Sequence, residues 1–373
     1  MSRRIFVAAI AYAAIVAESS AGDAASSRAD WASFRGNAQL TGVARCELPA
    51  RPGMAWKVDL KEPVTATAAI VDDTAYVGCD DGNLYALALA DGTRRWTYKA
   101  GEAIRSSAAV HDGTVYVGDQ AGVFHAVDAR TGQIRWTFTA AGEIVSSPTI
   151  AENHLVFGSY DGFVYGLNRT SGELAWKFHT DGRVHGTPSV MGENVIVAGC
   201  DEYVHVISLS DGVSVRRIGA GSVSGASAAL DGDSVYVPTY GNCVLGINWR
   251  EGRILWKFQD PDREFPFLSS AAIGQGVIYV AGRDKRLRAL DAGTGEVKWT
   301  FTANGKMDSS PVLVGDRIFI GSADGNLYAV KADTGAEVWR FEGGAPISAS
   351  PAIGRGCLVI GDEDGVVYCF GGK

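Results

Sequence analysis

Six cysteines, six histidines and two acidic runs are the residues of this 373-residue chain whose types could do chemistry. The histidines, at 111, 125, 154, 179, 185 and 205, do not fall at the short spacings by which zinc sites collect their ligands. The runs Cys79-Asp80-Asp81-Gly82 and Asp362-Glu363-Asp364-Gly365 look superficially like calcium loops. An EF-hand loop, however, is twelve residues long, ends in Glu and lies between helices. No Gly-rich phosphate cradle or nucleophile elbow stands between a strand and a helix. The cysteines suit disulfide chemistry in an oxidising compartment, although six allow fifteen connectivities. Cys357 and Cys369 each lie six residues from Glu363, the centre of an expected hairpin. That symmetry predicts directly opposed positions and a disulfide. Cys200 with Cys243, and Cys46 with Cys79, are weaker pairs.

What must position these residues is a repeat. Trp56, Trp96, Trp136 and Trp176 stand 40 residues apart, Arg216 takes the next equivalent place, and Trp256, Trp299 and Trp339 continue the series. Eight anchors mean eight units. The one irregularity, 43 residues from Trp256 to Trp299, comes from three extra residues between Gln259 and Pro266. Each unit reads as four short β-branched and aromatic runs separated by Gly and Asp turns; in the second unit these are 104–110, 114–118, 123–129 and 133–139. Asp-Gly at 81–82, 161–162, 324–325 and 364–365 supplies the positive φ of tight hairpins. Asp128, Asn168, Asn248 and Asp291 recur as turn formers.

A lone four-stranded sheet cannot bury both faces, so such units stack radially. The predicted fold is all-β, an eight-bladed β-propeller of four-stranded antiparallel blades. The last unit ends without its fourth strand, and the spare strand Met54 to Val58 precedes the first blade. The ring is therefore expected to be closed by the N-terminal strand, which leaves no open sheet edge. The chain divides into a signal peptide (1–21), a lead-in (22–53) and the propeller (54–373).

Antiparallel connectivity puts the second-to-third and fourth-to-first connections on one rim. There Arg105, His185 and Asp308 interrupt otherwise small or apolar positions, and converging they would form a channel-mouth site for a small polar ligand. A water-filled axis is the plainer alternative. The same rim carries the insertion, where Phe267 aligns with the core positions Ile104 and Ile144 and Phe265 falls in the loop. Phe265 either packs down on the neighbouring blade or stands with Arg263 as a protein-partner contact.

The N-terminus has the form of an export signal: Arg3 and Arg4, an apolar run from Ile5 to Ala17, then Ser19-Ser20-Ala21. The paired arginines also suit twin-arginine export. Removing residues 1–21 leaves no segment of membrane-span length, so the expected location is periplasmic or extracellular. A formal charge of -8 argues against a nucleic-acid partner.

The units resemble the tryptophan-docking repeat of pyrroloquinoline-quinone-type propellers: Ala86-Gly92-Trp96, Ala126-Gly132-Trp136, Ala289-Gly295-Trp299 and Ala329-Gly335-Trp339, with Gly166 or Gly246 in place of Ala in two more. The resemblance implies structural tryptophans, and the fourth unit, with Val206 and Arg216, is expected to lose its docking contact. Trp31 to Asn37 is similar to the superfamily's lead-in. Size and regularity are most similar to BamB-type outer-membrane assembly propellers, which implies a non-enzymatic protein-binding scaffold with no cofactor. The best-known of these carry a lipid on an early Cys, and here the first is Cys46. The alternative implied is a quinone-dependent oxidoreductase. Such enzymes are longer and usually carry adjacent cysteines, which this sequence lacks.

Overall fold

The computed structural model describes residues 29–371. The expected signal peptide (1–21) and the start of the expected lead-in lie outside the described residues. Eight four-stranded antiparallel sheets follow one another as blades. In blade 2 the strands are Ala109–His111, Thr114–Gly118, Val123–Asp128 and Ile134–Thr139, running from the axis outward. The two middle strands are nearly continuously buried because each blade is covered on both faces by its neighbours. The outermost strands alternate between exposed and half-buried positions. The last blade holds Ala352–Gly354, Cys357–Gly361 and Val366–Gly371, and its outer strand is Gly53–Asp59 from the N-terminus. Closure by the N-terminal strand is thus as expected.

The tryptophan anchors are built from two blades. Within a blade, Trp96 lies opposite Ala86 and Trp176 opposite Gly166, so a small residue leaves room for the ring. The glycine of the repeat belongs to the next blade's contact: a Cβ on Gly92 would meet Trp56 at 2.8 Å, and one on Gly132 would meet Trp96 at 2.8 Å. Indole N–H groups of Trp56, Trp96, Trp176, Trp256 and Trp299 donate to next-blade carbonyls at 2.7–2.9 Å. Trp136 lies against Gly172, and Trp339 packs edge-on against Phe370. Blade 4 corrects one expectation. Arg216 lays its side chain on Gly252, within 2.8 Å of that residue's Cβ position, so the slot stays filled although the indole bond is absent.

The lead-in does more than reach the closing strand. Its carbonyls at Ala29, Trp31, Ala32, Ala38, Gln39, Thr41 and Gly42 accept N–H groups from Arg355, in the turn just after an inner strand, and from the inner-strand residues Ile70, Val110, Val190, Leu230, Ile273 and Leu313. Those donors come from every blade but the third. The segment therefore runs round the underside as a floor. Arg35 is enclosed in it at 1% exposure, and one guanidinium nitrogen donates to Ala271 O at 2.8 Å. Burial pushes its pKa down to about 9, so it remains a cation at neutral pH.

Candidate functional site

The rim hairpins are locked by a recurring polar clasp. The third strand of seven blades presents a Tyr, His or Arg to an Asp in the preceding turn: Tyr85 to Asp81 at 2.5 Å, His125 to Asp119 at 3.0 Å, Tyr165 to Asp161 at 2.6 Å and His205 to Asp201 at 2.7 Å. Arg288 to Asp284, Tyr328 to Asp324 at 2.8 Å and Tyr368 to Asp362 at 2.9 Å complete the series. Asp161 and Asp324 also accept N–H groups from the fourth-to-first loop beside them, which ties that loop to the turn. The acidic turns are thus engaged within the fold, and no group of three or more metal-binding side chains occurs among the described residues. Burial works against ionisation of Asp119, but His125 and the Val123 N–H outweigh it and hold the carboxyl below its ordinary range. Only blade 5 lacks the clasp, having Leu245 at that position.

The structure gathers Arg105, His185 and Asp308 around one axial cavity of about 220 Å³, open on the rim and floored by Phe34. Its wall is a belt of eight hydroxyl side chains, Thr67, Ser107, Ser147, Thr187, Ser227, Ser270, Ser310 and Ser350. Successive members are linked by N–H to Oγ bonds of 2.8–3.1 Å from Thr67 round to Ser350. Each of the three mouth residues already has a partner 25 residues earlier, in the turn of the preceding blade. Arg105 forks onto Asp80 at 2.8 and 3.2 Å, His185 Nδ1 meets the Tyr160 hydroxyl at 2.6 Å, and Asp308 takes Arg283 at 2.9 and 3.0 Å. These are inter-blade pairs. The hydrogen bonds that Arg105 donates to Asp80 raise the Arg105 pKa, and burial lowers that of His185.

A calcium-held quinone does not fit this lining. Among the described residues Asp308 is the one carboxylate lining the cavity, and Arg283 holds it with two hydrogen bonds.

The insertion is pinned from both sides by residues found nowhere else in the repeat. Asp260, which opens it, reaches the buried Arg288 at 2.5 Å and Arg286 at 3.4 Å. Asn242 of blade 5 donates to Asp260 O at 3.2 Å and Arg263 O at 2.5 Å. Phe267 N–H bonds to Thr239 O, and its ring is buried at 1% exposure as its alignment predicted. Phe265 is 45% exposed, and Arg263 forms no ion pair among the described residues. Tyr240, 46% exposed and resting on Gly225, was missed in the sequence. Its only signal was an aromatic where blades 1 and 2 have Asp80 and Gln120.

The hairpin reading of Cys357 and Cys369 needs correction. Cys357 lies opposite Gly371 and Cys369 opposite Val359, so the two are diagonal neighbours on one face. The turn is a three-residue loop, Glu363 to Gly365, held by Asp362 N–H to Val366 O at 3.0 Å with Gly365 at φ 89°. That moves its centre from Glu363 to Asp364. All six cysteines are free thiols. The Cys79 thiol points to Glu62 O on the rim and Cys200 to Ser224 O, whereas Cys243 contacts Thr239.

Against known proteins, a family model described as outer membrane protein assembly factor BamB matches residues 50–111, 99–218, 159–259 and 260–372. No curated protein sequence matches the chain. Among solved structures, BamB from Moraxella catarrhalis superposes with a TM-score of 0.75 at 19% identity, over 86% of this chain and 100% of that one. The quinohemoprotein alcohol dehydrogenase of Comamonas testosteroni gives 0.79 at 15% identity, over 92% and 80%. The computationally designed protein Ika8 gives 0.76 at 16%, over 85% and 99%. Identities this low speak to the fold alone. The family match, running from residue 50 to residue 372, is what places the chain in the outer membrane protein assembly factor BamB family.

Proposed function

We propose that this chain is an exported, non-enzymatic propeller that acts as a protein-binding scaffold in outer-membrane or envelope assembly. The observation that carries the reading is the pinned insertion, which holds a half-exposed Phe265 and an Arg263 that forms no ion pair among the described residues, on a rim where the turns of the seven other blades are clasped down. An aromatic and an arginine fixed in place lose little entropy on binding, which is the character of an interface hot spot. Family membership supplies the partner class, a protein of the outer-membrane assembly machinery. Location in the periplasm or outside the cell follows from the N-terminal segment of the sequence, and no helix among the described residues is long and apolar enough to cross a membrane.

The test is capture from the cell-envelope fraction by the immobilised protein, with the captured proteins identified by mass. The parent should enrich an envelope-assembly component. Changing Arg263 and Phe265 to Ala together should reduce that enrichment at least tenfold and leave the melting temperature within about 1 °C, since both are surface positions. Equal capture by the double variant contradicts the reading.

A second reading rests on the cavity that gathers Arg105, His185 and Asp308. It makes the channel mouth a small-ligand site. A small molecule co-purifying with the parent and lost on changing His185 to Ala would favour it.

A further inference from the structure

The axial belt is one-sided in its hydrogen bonding. Every belt hydroxyl from Ser107 round to Ser350 accepts the backbone N–H of the belt residue in the blade before it, at 2.8–3.1 Å. None of these seven hydroxyls donates to a protein acceptor among the described residues. A serine or threonine hydroxyl carries one O–H donor and two lone pairs. With a lone pair committed to an N–H, each O–H is polarised and left free to serve the cavity that the belt lines. Blades 2 to 8 thus each contribute one donor around a space of about 220 Å³.

The floor beneath is one-sided in the same sense. Between Ala32, whose carbonyl is bonded to blade 2, and Ala38, bonded to blade 4, the lead-in folds across the middle of the ring. There Arg35 O accepts the N–H of Gly42, whose own carbonyl is bonded to blade 7, and the Arg35 guanidinium reaches Ala271 O of blade 6 at 2.8 Å. Phe34 floors the cavity, and Ala271 follows the belt residue Ser270, so the guanidinium lies just under the belt. Its Nε and Nη1 are buried without a hydrogen-bond partner, and no carboxylate pairs with it among the described residues. The Trp31 indole, laid on Gly36, has a buried and unpartnered N–H as well. The orphaned groups of the floor are all donors, and a buried cation without a counter-ion is costly.

We propose that the axial cavity holds a small monoanion of the halide class, seated among the belt hydroxyls and balancing the Arg35 charge from above. The class follows from the donors. A hard cation would need oxygens free to coordinate it, and the belt oxygens already accept N–H groups. A phosphate or sulfate would call for a second charge and a guanidinium fork, but Arg105 and Arg283 are engaged with Asp80 and Asp308. A ring of neutral O–H groups suits a spherical ion that accepts from many directions. At the mouth Lys306 stands 3.4 Å from Asp308, so these paired groups sum to one positive charge and do not repel an anion at the entrance. The inference is independent of the scaffold reading, shares only its cavity with the second reading, and does not call on His185.

The experiment soaks crystals of the full chain in rubidium bromide and collects anomalous data at the absorption edges of both elements. The expected result is a bromide peak inside the belt, within hydrogen-bonding distance of several belt oxygens, and no rubidium there. In solution the melting temperature should rise by about 2–4 °C as chloride replaces gluconate at constant ionic strength, and the rise should saturate, as binding to the folded chain alone requires. His185→Ala should keep the bromide peak, which separates this site from the mouth-ligand reading. Arg35→Met should lose both the peak and the chloride response. Rubidium or water alone inside the belt of the parent, a melting temperature indifferent to chloride, or an undiminished bromide peak in folded Arg35→Met overturns the proposal. The parent measurements decide the matter even if Arg35→Met fails to fold.

Discussion

Removing the indole of Trp176 tests whether the blades are held by tryptophan docking. Trp176 is 5% exposed, and its N–H donates to Leu209 O at 2.7 Å. The two positions against the ring, Gly166 of its own blade and Gly212 of the next, have no side chains to move into a void. A Trp buries about 150–250 Å², which at ~25 cal/mol per Å² is roughly 4–6 kcal/mol as an upper bound. Losing the hydrogen bond to a buried carbonyl adds about 1 kcal/mol. Large-to-small changes at sites that cannot collapse fall near the top of the range of about 3–5 kcal/mol. Trp176→Ala should therefore cost about 4 kcal/mol in urea unfolding followed by tryptophan fluorescence and circular dichroism together. Trp176→Phe, which keeps a ring but not the N–H, should cost roughly half of that. The slope of the transition must stay unchanged for the comparison to hold. A loss below about 1.5 kcal/mol for Trp176→Ala would refute the reasoning, because it would mean that the inter-blade slot closes without the ring.

Removing residues 22–60 takes away both the floor and the closing strand, and should lower the melting temperature by more than about 10 °C; an unchanged value contradicts the closed ring. Arg288→Leu leaves Asp284 buried without its cation and Asp260 with only the longer Arg286 contact, and should cost about 3–5 kcal/mol. The same variant with Asp260→Asn and Asp284→Asn should recover most of that loss. Burial lowers the His185 pKa below the ordinary 6.5, so the unfolded chain takes up a proton that the folded chain resists. That contribution to stability is present above pH 6.5 and is lost as pH falls below it, so melting curves from pH 7 to pH 5 should slope downward and His185→Gln should flatten them.

The repeat was legible because it is local. Trp spacing, Asp-Gly turns and a missing last strand are all within-blade signals, and the propeller, its blade count and its closure follow from them. What the sequence hid lies between blades. Arg105, His185 and Asp308 do share a cavity, but their partners Asp80, Tyr160 and Arg283 sit 25 residues earlier on the neighbouring blade, and no pattern within one unit reveals that pairing. Arg216 reads as a lost anchor until its aliphatic stem is seen on Gly252. The cysteine hairpin was misjudged by one residue, because an Asp-Gly pair serves equally in a two-residue turn and at the end of a three-residue loop. That single step changes a direct pair into a diagonal one. Asn242, Asp260 and Arg288 were visible only as isolated departures from the repeat, and their common purpose appears once they meet at the insertion.

The scaffold reading turns on whether the rim at Phe265 touches a protein partner. A photocrosslinking amino acid placed at position 265, and separately at the exposed underside position Asp233, tests this in intact cells. The account predicts one dominant envelope-protein adduct from position 265 and none from position 233. Adducts equal from both positions, or absent from position 265, would contradict it.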